Sequence, residues 1–216
     1  MGRLTLWGRL SSCNVQKAVW LLEELGLPYE RIDAGGDFGG LDDPHYLAMN
    51  PHGRVPTLRD GDVVVWESEA ILRYLAARYG APAFWSAEPA ERAVIDQWLA
   101  WTAASLYRDW IDLFWLRVRT PPERQDAEQI ERLRHRTAER FAFLDGQLAE
   151  RPFIAGEALS LADIAAGMTL YRWYEMPVER PALANLQAWY ERLRARPAYR
   201  KGVCVPFDDL RGKLAY

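Results

Sequence analysis

Four residues near the start of the chain, Ser11-Ser12-Cys13-Asn14, set two hydroxyls, a thiol and an amide between an apolar strand pattern and an apolar-periodic helix. A helix N-terminus carries about half a positive charge and unpaired backbone N–H groups. A sulfur anion placed there is stabilised by the dipole and by any hydroxyl that donates to it. A free thiol has a pKa near ~8.5; lowering it by about two units needs only ~2.7 kcal/mol, within reach of one hydroxyl donor plus the dipole. The serines need not be nucleophiles for this, because they can hold the thiolate of a bound peptide. The competing reading is helix capping, which Ser and Asn commonly perform. Cys13 is either a reactive thiol able to form a mixed disulfide or a small apolar filler.

A second constellation runs from Asn50 to Ser68. Pro56 has no N–H and fits only at a strand start or an edge. Val55 before it carries its N–H and C=O into a loop with no ladder partner. Asp60-Gly61 between apolar runs is a strong hairpin signal. Glu67-Ser68 opens the next apolar-periodic helix, whose free N–H groups favour an anion. A loop backbone, a proline and a helix start brought together form a clamp for a small peptide-like anion.

The elements that must position these residues follow from periodicity. Leu4–Trp7 reads as a short buried strand. Residues 14–25 read as a helix, with Val15, Ala18, Val19, Leu22 and Leu25 recurring at helical spacing and Gly26 at its stop. Residues 29–33 form a second strand, parallel to the first through the crossover helix. A helix turn over residues 44–49, the hairpin and a helix over residues 68–79 complete a compact β-α-β-α-β-β-α unit. The glycine-rich residues 34–40 are a loop without the spacing of a phosphate cradle. Strand signals then vanish. Long helices are expected over residues 88–118 and 123–149. A further helix is capped by Ser160-Leu161-Ala162-Asp163, and another covers residues 182–195. The final twenty residues carry no clear pattern.

Half of the 216 residues are hydrophobic, enough for a substantial core. A net charge of −3 argues against a general nucleic-acid binder. Cys13 and Cys204 stand far apart without a CxxC pair, and the three histidines lack metal-ligand spacing. No run reaches membrane-span length and no apolar leader core opens the chain, so a soluble cytoplasmic protein is expected.

In order and spacing, Val55-Pro56 after Asn50-Pro51 and Glu67-Ser68 ahead of Ala70-Ile71-Leu72-Arg73-Tyr74-Leu75 resemble the glutathione-binding half of cytosolic glutathione S-transferases. Bacterial theta- and beta-like members are the nearest in pattern, with a Ser-Ser-Cys segment similar to the zeta class. The resemblance covers residues 4–26 as well and, more loosely, most of the remaining chain. It implies a thioredoxin-like α/β N-terminal domain over residues 1–80, a linker at 81–85 and an all-α C-terminal domain over 86–216. It implies an enzyme that conjugates the thiolate of glutathione, its co-substrate, to hydrophobic electrophiles without a metal, in a homodimer. Ser11 matches the thiolate stabiliser first and Ser12 second. A shift of one or two residues brings Cys13 or Asn14 to that position, so all four stay candidates. Val55 would pair with the cysteinyl backbone of glutathione, and the resemblance implies that Pro56 is cis. Glu67 would face the γ-glutamyl ammonium, Ser68 its carboxylate and Arg54 the glycine carboxylate. Helix phase offers Leu10, Tyr107 and Ile111 as the wall of an apolar electrophile pocket. Three rival functions are a glutathione-dependent cis–trans isomerase of the zeta type, a thiol-disulfide reductase using Cys13, and a non-catalytic glutathione- or ligand-binding protein. Trp66-Glu67-Ser68 departs from the Gln-Ser pair of the first.

Overall fold

The structure is a computed structural model and describes residues 4–214. Strands β1 (Leu4–Trp7), β2 (Tyr29–Ile32), β3 (Thr57–Asp60) and β4 (Val63–Trp66) form one mixed sheet in the order β2-β1-β3-β4. β1 runs parallel to β2 across helix α1 (Cys13–Glu24), and antiparallel to β3 with Leu6 opposite Leu58. The pairing of Asp60 with Val63 leaves a two-residue turn, Gly61-Asp62, and Gly61 takes φ +58° as its first member. Helix α2 (Pro44–Met49) starts on Asp43, whose carboxylate accepts from the His45 N–H at 2.8 Å. Helix α3 (Ser68–Tyr79) follows β4 directly. Leu6, Leu58, Ile71, Leu72 and Leu75 are fully buried. Each such side chain contributes about 1.5–3 kcal/mol of burial.

The second half is helical. A continuous helical run from Pro89 to Arg119 comprises α4 (Pro89–Trp101), a π turn at Thr102–Leu106, α5 (Tyr107–Phe114) and a second π turn at Trp115–Arg119. The expected single helix is therefore present, but with two registers of wider winding that apolar periodicity does not mark. The next helix, α6, is shorter than expected, spanning Ala127–Gln147, because Asp126 caps it by accepting from the Gln129 N–H at 3.0 Å. Helix α7 (Leu161–Glu175) begins at the expected cap. The Ser160 hydroxyl is a donor there, to Asp163 at 3.0 Å, and Asp163 also accepts from the Ser160 and Ile154 N–H groups at 2.9 Å each. Helix α8 covers Ala184–Arg194, and the tail without a clear pattern contains α9 (Pro197–Gly202) and a short turn at Asp208–Leu210.

Helix α1 packs against α3 on one side and against α7 and α9 on the other, and α3 also meets α7. Gly202 makes that approach feasible, since a Cβ there would stand 2.9 Å from the Trp20 backbone. The start of α1 is thus fixed by the sheet, by α3 and by the helical half together. Among the described residues no helix is long and apolar enough to cross a membrane.

Candidate active site

The loop between β1 and α1 is tied down by its backbone: Gly8 and Arg9 donate to Ile32 and Ala34 carbonyls at 2.8 and 3.1 Å, and Ser12 donates to Arg9 at 3.1 Å. Ser12 is the N-cap residue of α1, yet its side chain makes no capping bond. Neither the Ser11 nor the Ser12 hydroxyl has a side-chain partner among the described residues, and both serines line a cleft that also touches the helical half. The capping reading of Ser12 therefore does not describe its hydroxyl. Cys13, the first residue of α1, is buried, and its Sγ lies 3.2 Å from the Tyr107 Oη. Burial, with Cys13 next to it, raises the Tyr107 hydroxyl well above its ordinary value, so it stays a protonated phenol. Cys13 is thus a packed and hydrogen-bonded thiol rather than an open one.

The second constellation, distant in sequence, lies beside the first in space. Val55-Pro56 is cis, and the β3 ladder begins only at Thr57. The loop leading to it is held from behind. Tyr46 Oη and Asn50 Nδ2 donate to the Arg54 carbonyl at 2.6 and 2.8 Å, and both also meet Thr57 Oγ1, at 2.9 and 3.0 Å. Glu67 adopts φ +71°, a conformation uncommon outside glycine, at the point where β4 turns into α3. A narrow hollow of about 60 Å³ lies between this segment and α1, bounded by Asn14, Arg54, Val55, Pro56, Glu67 and Ser68.

Beneath the hollow sits a buried ion pair. Lys17 is 1% exposed. Its Nζ donates to Glu69 Oε1 at 2.6 Å and to Ser68 Oγ at 3.4 Å, and stands 4.7 Å from the Tyr107 ring centre. Ser68 Oγ meets Glu69 Oε2 at 2.9 Å and Asn14 Oδ1 at 3.4 Å. Burial pushes the Glu69 carboxyl up, but the charge and hydrogen bond of Lys17, with the Ser68 hydroxyl, bring it net below its ordinary value.

The hollow shares Asn14, Arg54 and Val55 with the neighbouring cleft, of about 140 Å³. Ser11, Ser12, Cys13, Asn14, Val55 and Arg54 form one side. The opposite side comes from the long helical run, with Tyr107, Ile111, Phe114 and Trp115, and from Leu210 in the tail. Tyr107 and Ile111, offered from helix phase, are both among the lining residues. Leu10 does not line the cleft; it packs against the core while its carbonyl accepts from Gln16 Nε2 at 3.0 Å. The expected pocket turns one residue away from the loop at that point. The cleft floor holds Arg172, whose Nη2 donates to the Ser11 carbonyl at 2.6 Å and whose guanidinium lies 4.6 Å from the Phe114 ring centre.

Sequence reasoning did not single out Arg172, Arg119, Arg9 or Lys17. For two of them a signal existed. Arg172 interrupts the apolar face of α7, and Lys17 interrupts the apolar run Val15–Leu22; a charge in such a place needs a partner or a purpose. The arrangement as a whole offers a helix N-terminus, two free hydroxyls, an exposed strand-like backbone and flanking cations. It suits a peptide thiolate held in the hollow and aimed into a partly apolar cleft.

Comparison with known proteins identifies the family. The glutathione S-transferase N-terminal domain family matches residues 2–77, and its C-terminal domain family matches residues 108–197. Glutathione S-transferase GstB of Escherichia coli is 42% identical over 205 residues, covering 94% of this chain and 99% of that protein. The theta-class glutathione S-transferase of Xanthomonas axonopodis pv. citri, solved with glutathione bound, shares 49% identity at a TM-score of 0.90 over 95% of this chain and 99% of that one. The disulfide-bond oxidoreductase YfcG of Escherichia coli is 31% identical over 192 residues, 86% of this chain and 87% of its own length. By fold and by kinship over nearly its whole length, the chain belongs to the glutathione S-transferase family.

Proposed function

We propose that this transferase binds glutathione with the γ-glutamyl end in the hollow at Glu67 and Ser68, the cysteinyl backbone along Val55, and the sulfur at the start of α1. In this reading Glu67 faces the ammonium and Ser68, with the α3 N-terminus, faces the carboxylate; Arg54, which borders both spaces, takes the glycine carboxylate. Ser11 or Ser12 donates to the sulfur and keeps it a thiolate at neutral pH. The thiolate attacks an electrophilic carbon held against Tyr107, Ile111 and Trp115. A carbon–sulfur bond forms, and the leaving group departs with its bonding electrons. The observation that supports this most directly is the pair of unpartnered serine hydroxyls at a helix start beside an unladdered Val55. The test is a crystal structure with glutathione: a serine oxygen within hydrogen-bond distance of the sulfur supports the assignment. A sulfur directed away from residues 11–14 overturns it.

A second reading, disulfide reduction through Cys13, takes its support from the YfcG relationship and from the place of Cys13 at the start of α1. Its mark is activity that survives Ser11→Ala and is lost in Cys13→Ala. We also place the boundary between the two parts of the chain at residues 81–85. The protein is proposed to work as a cytoplasmic homodimer, as the family resemblance implies. Half-exposed Val63, Val64 and Trp66 on β4 and Phe143 on α6 are the apolar surface such a partner would cover.

A further inference from the structure

Arg172 is a buried charge with no part in the glutathione grip. It lies on α7 and is 2% exposed. A cation in such a place needs partners or a purpose. Its Nη2 donates to the Ser11 carbonyl at 2.6 Å. Its guanidinium lies 4.6 Å from the Phe114 ring centre and 5.7 Å from that of Phe207. Those two rings meet edge to face with centres 5.3 Å apart, so α5 and the tail together steady the plane of the fork. Nε is buried without a hydrogen-bond partner. Burial pulls the guanidinium below its ordinary value, and Cys13, Tyr107 and Asp209, in that order, pull it back up. An arginine stays charged through such shifts. The two groups that favour its charge most are thus the thiol at the start of α1 and the phenol that meets it.

In the placement above, the glutathione sulfur lies at the start of α1, in the cleft that Arg172 lines together with Ser11, Ser12 and Cys13. We propose that Arg172 is a positioning residue for the transfer step. It pins the Ser11 carbonyl so that the hydroxyls of Ser11 and Ser12 meet the sulfur, and its fixed positive charge favours the thiolate over the thiol, whose proton passes to water. This proposal rests on the transferase reading of the site, and deepens it by giving the helical half a part in activating the thiol. The backbone bonds that tie the loop down, from Gly8, Arg9 and Ser12, all stay within the α/β half. Arg172 ties it to α7 as well, with a charged donor that bonds more strongly than a neutral one. An opposite charge within ~4–6 Å lowers the pKa of an acid by about one to three units. The other titratable groups around that corner are Cys13 and Tyr107, Arg9 and Arg54 in the loops, Arg119 at the end of the long helical run and Asp209 in the tail. The Lys17–Glu69 pair lies beyond Tyr107. Asp209 offsets part of the Arg172 charge, so an effect at the low end of that range, about one unit, is expected.

The test compares two variants of the full chain. Arg172→Gln keeps a donor for the Ser11 carbonyl without the charge, and Arg172→Lys keeps the charge without the fork. Two curves are read for each: the ultraviolet absorbance of the bound glutathione thiolate against pH, with the protein alone subtracted to remove Cys13, and kcat/KM for an aryl chloride against pH. Arg172→Gln should raise the pKa of the bound thiol by about one unit and lower kcat/KM about tenfold below it. Its KM for glutathione should move less than about threefold, because the peptide is held at Val55, Glu67 and Ser68. Arg172→Lys should stay within about 0.3 unit of wild type. A merely structural role lowers Tm and leaves both curves in place. An Arg172→Gln protein with wild-type curves overturns the proposal, and so does an Arg172→Lys protein shifted by a full unit. If the glutamine variant does not fold, the lysine variant decides alone by the same two outcomes. Calorimetry with glutathione separates the two levels: heat of binding with unshifted curves removes only the role of Arg172. Absence of binding heat in the wild type removes the placement of the sulfur on which it stands.

Discussion

Removing the hydroxyls of Ser11 and Ser12, singly and together, separates thiolate stabilisation from helix capping. A neutral hydroxyl donating to a sulfur anion is worth about 1.5–3 kcal/mol, because one partner is charged. At about 1.4 kcal/mol per pKa unit, loss of the true donor raises the thiol of bound glutathione by about one to two units. Below that pKa the rate should fall about ten- to hundredfold. Well above it the deficit should shrink, since the thiolate then forms without help. If Ser12 capped α1, its loss would cost about 1 kcal/mol and lower Tm by about 2–4 °C in a chain of this size. The structure shows no capping bond from Ser12, so the melting temperature of Ser12→Ala should stay within about 1 °C of wild type. The assay is the pH profile of kcat/KM with an aryl chloride, run beside thermal melts and the ultraviolet absorbance of the bound thiolate. An unchanged pH profile in the Ser11→Ala/Ser12→Ala double variant refutes the reasoning, and a lower Tm with an unchanged profile returns these serines to capping.

Glu67→Ala and Ser68→Ala should raise the KM for glutathione about tenfold or more while changing kcat less, because both act on the end of the peptide remote from sulfur; steady-state kinetics over a glutathione series checks this. Lys17→Met leaves the Glu69 carboxylate mostly buried without its counter-charge, an effect of about 3 kcal/mol, and Tm should fall by about 6–12 °C. Adding Glu69→Gln should restore most of that loss, and melts of the two single variants and the double variant read the coupling. Burial lifts the Asp163 carboxyl to about 6, above the ~3.9 of an unfolded chain. The folded state therefore holds that proton more tightly. The contribution of this group to stability is complete below about pH 4 and is lost as pH rises through about 6. Relative to Asp163→Asn, the wild type should lose stability, by about 2 kcal/mol, between those two pH values in urea unfolding.

The α/β half was legible because its signals are local. Asp60-Gly61, the Gly26 stop and the alternation of β2 each act within a few residues. The loop at Ser11 was legible as chemistry for the same reason, although which of its groups meets a ligand depends on partners elsewhere. Arg172 reaches the Ser11 carbonyl from 161 residues away, and no local pattern reports such a contact. Leu210 enters the cleft from a tail held across the end of the long helical run, where Gly212 donates to the Val118 carbonyl at 3.0 Å and the Lys213 carbonyl accepts from Arg119 at 2.8 Å. Leu10, offered with Tyr107 and Ile111 as a pocket wall, packs against the core, a placement that no local pattern reports. The Ser160–Asp163 cap was visible in sequence, but the Ile154 N–H that Asp163 also serves was not.

The two π turns have a bearing on how such a pocket changes over generations. Each turn fits an additional residue into the winding, and side chains beyond it are rotated by about 100° relative to an unbroken α-helix. Loss of a single codon within residues 102–106 would leave a continuous helix that still spans the same distance to within about 1.5 Å. Because the wide turn already absorbs that residue, Tyr107 and Ile111 would keep their facing, and the change would be confined to the side chains of the turn itself. In this scaffold, a helical wall can gain or lose a residue at such a turn without re-aiming the side chains that follow it.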